Sequence, residues 1–366
     1  MEFNVERGVF LDGIQKTLGI VERKTTNPIL NNVLIKTGGE KITVIATDRE
    51  IGLVADYRAE VVGEGEITVA ARKLYEMIRE IQGDTVNFKK LDNNWVNISC
   101  GKALYKIPGL AVDEFPEVVD DEDVGFFHVP CSVMREMINK TFFAVSTDEM
   151  RASLNGVYFA VQEGVLLMVA TDGHRLSIAR QAEVEEIFDT PGIIIPRKGV
   201  GEIRKLVDDG SESVEIGVKQ GAFIVKRDGT VLRVSLIDAD YPDYEKVMPQ
   251  EEGIDILLDK NQILHSLRRM SVISNERFSG VKIRVISNKM ILSSINPDVG
   301  EAQDEIDISY GGKELEMGYN VKYLIDAIDA VSENEITLEM RDAYGPGVVR
   351  TVGKDDYMCI IMPLRL

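Results

Sequence analysis

Three polar residues within one short segment have the types that hydrolytic chemistry uses. The segment MVATDGHRLSIAR (168–180) contains Asp172, His174 and Ser177, the residue types of a hydrolase triad. Triad members normally come from separate elements of a fold, so residues at i, i+2 and i+5 of one strand and turn rarely converge. The chain also lacks a G-x-S-x-G nucleophile elbow. The segment therefore favours a non-catalytic protein in which Ser177 is an ordinary strand residue.

A second copy of this frame carries no histidine. In VIATDREIGLVA (44–55), Asp48 takes the place of Asp172 and Arg49 takes the place of Gly173. Thr and Asp side chains accept hydrogen bonds from nearby backbone amides and stabilise turns. Because the motif recurs without its histidine, we expect a strand that ends in a tight turn at both places.

The chain as a whole is a threefold repeat of roughly 120 residues. The distance from the turn to a later helix start is 24, 25 and 24 residues in the three copies, from Asp48 to Arg72, from Asp172 to Arg197 and from Asn296 to Asn320. Acidic stretches at 120–125 and 249–253 suit exposed linkers. The predicted domains are residues 1–121, 126–248 and 253–366.

Two apolar periods alternate within each copy. Helical spacing predicts two helices per copy, in the windows Val9–Gly19, Ala71–Gln82, Ser132–Phe143, Arg197–Val207, Lys260–Ser271 and Val321–Val331. Segments such as KITVIAT and VLLMVAT predict strands, and turn residues such as Gly38-Gly39 and Asp228-Gly229 separate them. The predicted fold class is α+β, with three repeated domains of two helices packed on β-sheet.

Charge is distributed unevenly along this acidic chain. The net charge is −19, which by itself argues against a nucleic-acid partner. The six helical windows nevertheless carry +7 and the remainder carries −26. Basic helices in an acidic protein would hold a polyanion at its phosphates without reading bases. The alternative is a set of ordinary solvated helix faces.

Composition limits the other classes of function. The chain has 366 residues, of which 44% are apolar and 28% charged, as in a soluble globular protein. No apolar run approaches the roughly 20 residues that span a bilayer, and the N-terminus has no signal-peptide pattern. We expect a cytoplasmic protein without membrane contact. Cys100, Cys131 and Cys359 are far apart, so we expect free thiols, no metal site and no cofactor.

Five strings in the right order carry a family resemblance. TDGHRLS, IPRKG, YPDYEKVMP, SNERFSGV and the terminal MPLRL together resemble the beta subunit of bacterial DNA polymerase III, the beta sliding clamp. The similarity runs from residue 4 to Leu366. It implies three clamp domains per chain, each chain forming half of a closed ring. Two chains would join head to tail, with helices lining the hole around duplex DNA.

The resemblance also implies sites for DNA and for a second chain. The implied DNA-contacting residues are Lys24, Arg72, Arg151 and Lys198. The implied dimer contacts are Tyr105, Ile107, Val272 and Ile273, in two apolar stretches that we expect at sheet edges. Just before LNG this chain has Ala152 and Ser153, where family members can carry aromatic residues, so the resemblance does not carry a stacking contact with single-stranded DNA over to these positions.

A peptide-binding pocket is the third implied site. It comprises Leu154, Thr171, Gly173, His174, Arg175, Leu176, Pro242, Lys246, Val247, Asn320, Tyr323, Ile360, Met362, Pro363, Leu364 and Arg365. Its apolar members would form an adaptable floor, while His174, Arg175 and Arg365 would orient polar groups of the peptide. Lys246 stands where the family often has arginine. Met362 and Leu364 could instead be core residues.

The implied partners follow from these sites. They are double-stranded DNA, a second copy of the chain, the DNA polymerase III alpha subunit and other proteins with a clamp-binding peptide. A separate clamp-loader ATPase is expected, because the chain has no GxxxxGK[ST] loop. These partners predict a non-catalytic processivity subunit associated with the nucleoid. The alternative of a DNA-free scaffold for peptides is opposed by the basic helices.

Overall fold

The computed structural model describes residues 1–21, 27–118, 124–182, 190–208, 212–219, 221–249, 253–274, 279–341 and 345–365. Lys24 and the predicted boundary at residue 121 lie outside the described residues. The chain divides into two compact units. One unit is Met1–Cys131 with Gly201–Leu236, and the other is Ser132–Val200 with Ile237–Leu366.

The helices confirm the prediction from the apolar periodicity. Every observed helix end lies within two residues of the corresponding end of its predicted window. In the described residues they are α1 (Arg7–Thr17), α2 (Ala71–Glu80), α3 (Cys131–Thr141), α4 (Arg197–Val207), α5 (Lys260–Ser271) and α6 (Val321–Asp329). In α2, Leu74 and Ile78 are buried while Lys73 and Arg79 are exposed, so the apolar stripe faces the core.

The strands divide among the three repeat copies. The first copy contains β1 (Glu2–Glu6), β2 (Asn32–Gly38), β3 (Lys41–Thr47), β4 (Ile51–Arg58), β5 (Glu60–Gly63), β6 (Gly65–Ala70), β7 (Thr85–Lys90), β8 (Trp95–Cys100) and β9 (Ala103–Leu110). The second contains β10 (Phe126–Pro130), β11 (Gly156–Gln162), β12 (Val165–Thr171), β13 (Arg175–Gln181), β14 (Thr190–Pro196), β15 (Ser213–Lys219), β16 (Ala222–Arg227) and β17 (Thr230–Ser235). The third contains β18 (Ile254–Asp259), β19 (Gly280–Ile286), β20 (Lys289–Asn296), β21 (Gly300–Asp307), β22 (Leu315–Asn320), β23 (Glu335–Met340), β24 (Gly347–Thr351) and β25 (Tyr357–Ile361).

In the first unit, strands of two repeat copies share one sheet. Its order is β10-β15-β16-β17-β4-β3-β2-β6-β9-β8-β7-β1-β5. The two copies meet where β17 pairs antiparallel with β4, with Leu232 opposite Leu53. Helices α1 and α2 pack against each other, and the rings of Phe3 and Phe88 stack at 4.9 Å in the core.

The second unit repeats this arrangement with different strands. An eight-stranded sheet has the order β14-β11-β12-β13-β25-β24-β23-β18, and a four-stranded sheet has the order β21-β20-β19-β22. Here the copies meet where β13 pairs with β25, with Ser177 opposite Cys359. Helices α5 and α6 pack together, and Leu264 and Leu324 are buried in the core. The fold class is α+β, as the sequence predicts.

Two further predictions concern the thiols and the apolar segments. Cys100, Cys131 and Cys359 are buried and are in the thiol form, as the sequence predicts. In the described part of the chain, no helix is long and apolar enough to cross a membrane.

Candidate peptide-binding site

The turn between β12 and β13 is held by its own side chains. Thr171 Oγ1 accepts a hydrogen bond from the Gly173 amide at 3.0 Å and donates to the Arg175 carbonyl at 2.6 Å. Asp172 Oδ1 accepts from the amides of His174 (2.9 Å) and Arg175 (3.1 Å). The turn therefore presents the His174 side chain, which is exposed, at the end of a buried strand.

The other repeat copies build related turns. Asp48 Oδ1 accepts from the amides of Glu50 (2.9 Å) and Ile51 (2.6 Å), and Asn296 Oδ1 accepts from the Asp298 amide at 3.0 Å. These bonds confirm the structural role predicted for the Thr-Asp motif. In the second copy, the buried Ser177 donates from Oγ on β13 to the Lys140 carbonyl on α3, so Ser177 is a strand residue and not a nucleophile.

The C-terminal segment forms a second side of the site. Leu176 pairs with Ile360 across β13 and β25, and the Met362 amide donates to the His174 carbonyl at 2.9 Å. The Leu364 amide then donates to the Gly318 carbonyl at 2.8 Å. The exposed fractions of Met362 and Leu364 are 38% and 39%. Both are therefore surface residues beside the turn, and the alternative of plain core packing is wrong.

An apolar cluster lies beneath this surface. Leu176 and Ile360 belong to a buried group against which Tyr241, Tyr244 and Met248 pack. The Tyr241 hydroxyl donates to the Val169 carbonyl at 3.3 Å, and burial raises the pKa of Tyr241. The segment that contains Pro242 is thus anchored by tyrosines, and its exposed Val247 adds to the apolar surface.

Two aromatic rings border the site on the side of α6. The rings of His174 and Tyr323 stack with centroids 6.5 Å apart and planes inclined by 23°. Tyr323 is oriented by the start of α6, where Asn320 Oδ1 accepts from the amides of Lys322 (3.0 Å) and Tyr323 (3.4 Å). This N-cap fixes the first turn of the helix. Burial and the charge of Asp172 raise the pKa of Tyr323, so the phenol is neutral at physiological pH.

The position of Arg175 corrects its predicted role. Its guanidinium donates from Nε to Asp172 (3.1 Å), from Nη1 to Asp326 (2.7 Å) and from Nη2 to the Phe143 carbonyl (2.5 Å). Its side chain is 9% exposed. Burial by itself would lower the pKa of Arg175, but the bond to Asp326 and the charge of Asp172 raise it above its ordinary value. The sequence predicted that Arg175 orients a peptide. In the structure each nitrogen of its guanidinium already donates to a group of the chain itself, which gives Arg175 a supporting position in the site.

The remaining predicted pocket residues lie around this centre. Lys246 is 81% exposed and pairs with Asp243 at 2.9 Å. Leu154 is buried in a short 3-10 turn that follows Arg151. Pro363 is half-buried and Arg365 is exposed on the C-terminal tail. A cluster suited to a metal ion, with three or more His, Cys, Asp or Glu side chains, does not occur among the described residues.

The predicted DNA-contacting residues occupy separate helices and a loop. Arg72 on α2 donates from Nη2 to the Leu18 carbonyl at 3.2 Å, and Lys198 is exposed in the first turn of α4. Arg151 is 54% exposed and lies 3.5 Å from Asp148. A Cβ atom on Gly173 would lie 2.9 Å from Arg151 Nη1, so Arg151 borders the candidate pocket.

One of the two predicted dimer edges is wrong in its structural type. Tyr105 and Ile107 lie on β9 as predicted. Val272 and Ile273 do not lie on a sheet edge, because Val272 ends α5 in a helical conformation. The neighbouring sheet edge is β21, whose Asp304 accepts from Arg269 Nε at 2.9 Å. Apolar composition alone did not distinguish a helix end from a strand.

Sequence reasoning missed several residues of the site. Tyr241 and Tyr244 flank the predicted Pro242, and their aromatic pairing with Tyr158, at 5.0 and 6.0 Å, joins segments far apart in sequence. Asp326 was missed as well. A signal for it does exist, since the sixth residue of the second helix is acidic in every copy, namely Glu76, Glu202 and Asp326.

The repeated fold, and the site formed by the β12–β13 turn with the C-terminal segment, define a chain of three DNA-clamp domains. Comparison with known proteins agrees. Family models of the DNA polymerase III beta subunit match this chain in three parts. The N-terminal domain matches residues 1–119, the central domain matches 128–243 and the C-terminal domain matches 245–365. The chain belongs to this family. It is a DNA sliding clamp, a non-catalytic processivity subunit.

Individual relatives match over the full length. The beta sliding clamp of Pseudomonas putida is 30% identical over 367 residues, which cover 100% of both chains. The crystal structure of the Pseudomonas aeruginosa DNA polymerase III beta subunit is 29% identical, with a TM-score of 0.93 and 100% of both chains covered. A Pseudomonas aeruginosa sliding clamp bound to griselimycin gives the same identity, TM-score and coverage.

Proposed function

We propose that two copies of this chain close head to tail into a ring around duplex DNA, and that each copy binds partner proteins through the pocket described above. The observation that carries the ring is the pairing rule between repeat copies. In both observed junctions, the strand after the turn of one copy pairs with the last strand of the next copy, β4 with β17 and β13 with β25.

Two strands remain that could continue this rule. Among the described residues, β9 is the last strand of the first copy and pairs with β6 only at Gly109 and Leu110. Likewise β21 follows the turn of the third copy, and within the described ranges it pairs with β20 alone. An edge strand presents unpaired backbone groups to another chain. Pairing β21 with β9 of a second copy gives a heterologous contact, and two such contacts close a ring.

The register of this contact follows from the observed junctions. In both, the third residue of the one strand lies opposite the third residue of the other, Leu53 opposite Leu232 and Ser177 opposite Cys359. The same register places Ala302 opposite Tyr105 of the partner copy. It also places Glu301 opposite Lys106 and Glu305 opposite Lys102, which are exposed residues of opposite charge. Cross-strand pairs of opposite charge stabilise a sheet.

DNA would be held loosely by the basic helices. The six helices carry a net charge of +8 in a chain of −19, and Lys198, Arg204 and Lys205 are exposed on α4. Contacts from Lys and Arg to phosphates are screened by salt and carry no sequence information. We therefore propose sliding without base recognition, in the cytoplasm at the nucleoid, with a separate ATPase that loads the ring. Arg72, Arg151, Lys198 and Lys24 remain the proposed DNA contacts.

The pocket suits a short peptide with apolar anchors. Met362, Leu364 and Val247 offer exposed apolar atoms over a buried floor, and the His174 and Tyr323 rings form one wall. Pockets of this kind bind apolar anchors and orient them with a few polar groups. We propose that the polymerase III alpha subunit, the clamp loader and other clamp-binding proteins each insert a peptide here. The proposed pocket residues are those predicted from the sequence, with Arg175 moved from peptide contact to support.

Two measurements test this proposal. After loading onto a closed circular plasmid, the protein should remain bound and should be lost when the plasmid is cut once. Equal retention on both forms would contradict encirclement and would favour a DNA-free scaffold if peptides still bind. For the pocket, fluorescence anisotropy with a labelled peptide from the tail of the alpha subunit should show saturable binding.

A further inference from the structure

Arg175 connects two repeat copies at the edge of the pocket. Its carboxylate partners are Asp172 in the β12–β13 turn and Asp326 on α6. Its guanidinium carbon lies 4.3 Å from the ring centroid of Tyr323 and 5.0 Å from that of Phe143. Tyr323 is also the ring on which His174 stacks. The Tyr323 ring, which borders the pocket and carries the His174 ring, is thus packed on one buried cation.

We propose that Asp326 is a positioning residue for peptide binding, which acts through Arg175 to fix the Tyr323 and His174 rings. The inference rests on the proposed function of the pocket. Asp172 also holds the turn through its second oxygen, so its loss would disturb several contacts at once. Asp326 acts on the pocket through the Nη1 bond of 2.7 Å. Charge-assisted bonds of this length are among the stronger ones in proteins.

The first unit contains a natural comparison for this arrangement. Glu202 on α4 is equivalent to Asp326 on α6, since each is the sixth residue of its helix. Glu202 pairs with Lys205 at 2.7 Å, within its own helix. The positions equivalent to Arg175, Phe143 and Tyr323 are Ile51, Gly19 and Gly199. The carboxylate therefore recurs as Glu202, where the equivalent positions hold no arginine and no aromatic ring. The arginine and the two rings accompany Asp326, beside the turn that borders the pocket.

The substitution Asp326→Asn tests the proposal, because it removes the charge and keeps the shape. Full-length protein and a fluorescein-labelled peptide from the alpha-subunit tail are used, and binding is measured by anisotropy well below the melting temperature. We expect the dissociation constant to rise about tenfold, as the loss of one charge-assisted hydrogen bond can produce. Asp326→Glu, which keeps the carboxylate, should bind the peptide with most of the affinity of the unmodified protein.

Asp329→Asn is the matched control. Asp329 lies on the same helix and pairs with Arg268 at 3.3 Å in an exposed ion pair, so the same charge is removed away from Arg175. The affinity of Asp329→Asn for the peptide should stay within about twofold of that of the unmodified protein, since exposed ion pairs contribute little to the stability of a fold. In the peptide-free protein, the NMR signals of the His174 and Tyr323 rings should shift in Asp326→Asn and not in Asp329→Asn.

Three outcomes would overturn the proposal. They are an unchanged affinity in Asp326→Asn, an equal loss in Asp329→Asn, and an Asp326→Glu variant as weak as Asp326→Asn. If Asp326→Asn does not fold, Arg175→Lys replaces it. That variant keeps the charge and loses the forked donors, and unchanged binding would again overturn the proposal. Failure of the pocket itself is distinguishable, because the unmodified protein would then not bind the peptide.

Discussion

The backbone amide of Met362 donates a 2.9 Å hydrogen bond to the carbonyl oxygen of His174. This bond continues the pairing of β25 with β13 beyond the sheet and brings the C-terminal tail to the β12–β13 turn. Residues 188 positions apart in the sequence thereby form one surface. The candidate pocket depends on this connection, and the first prediction tests it.

Removal of residues 362–366 should abolish peptide binding and leave the dimer intact. The tail supplies Met362 and Leu364 to the pocket, whereas the proposed ring contact uses β9 and β21. Truncation of an apolar anchor site costs on the order of 2 kcal/mol per critical residue, so binding in the micromolar range should become undetectable. Anisotropy with the tail peptide and light scattering on the same samples measure both properties. Unchanged affinity would place the pocket elsewhere.

Gly173→Ala and Arg49→Gly should have opposite effects on stability. Gly173 has φ of 89° and Arg49 has φ of 81° in the equivalent turn, where residues other than glycine are strained. Alanine at 173 should destabilise the fold by about 1 kcal/mol and weaken peptide binding, whereas glycine at 49 should stabilise it by about 0.5 kcal/mol. Chemical denaturation measures both changes. A stabilised Gly173→Ala variant would contradict the turn geometry.

Charge reversal at the proposed ring contact should weaken the dimer and be repaired by a second reversal. Lys106→Glu and Glu301→Lys each place like charges opposite each other, and each ring contains two such contacts. At about 0.2–1 kcal/mol per cross-strand pair and two pairs per ring, we expect up to about a thirtyfold rise in the dimer dissociation constant, measured by analytical ultracentrifugation. The double variant Lys106→Glu with Glu301→Lys should recover the dimer dissociation constant of the unmodified protein.

Lys282→Glu provides the control for charge alone. Lys282 is a half-buried strand residue that pairs with Glu316 at 3.0 Å within the chain, away from the proposed edge. Its dimer should match that of the unmodified protein. If the double charge reversal associates as weakly as either single variant, the proposed register is incorrect.

The buried cysteines should resist alkylation in the folded protein. Burial raises the pKa of the Cys359 thiol to about 12, because a low-dielectric surrounding disfavours the thiolate, which is the reactive form. Iodoacetamide at pH 8 should therefore leave Cys359 unmodified until denaturant is added. Mass spectrometry of the labelled peptides checks this. Rapid labelling of Cys359 in the native state would indicate that β25 opens locally.

Local features of the fold were predictable from the sequence. KITVIAT and VLLMVAT coincide with β3 and β12, because apolar segments bounded by turn residues report strands directly. The Thr-Asp turns were predictable for a similar reason, since the side chains bond to amides two or three residues away. These interactions require no information about the rest of the chain.

Contacts between residues far apart in the chain were not predictable from the sequence. Arg175 was predicted to face a peptide, but Asp326, 151 residues further along, and the Phe143 carbonyl use its donors. Val272 was predicted at a sheet edge, but it ends a helix. The elements were predictable because they depend on short-range periodicity, and the repeat was visible as recurring spacings along the chain. The family was indicated by five strings that occur in the right order. The orientation of a side chain and the pairing of one repeat copy with the next depend on which distant groups the folded backbone brings within hydrogen-bonding distance, and sequence spacing does not contain that distance.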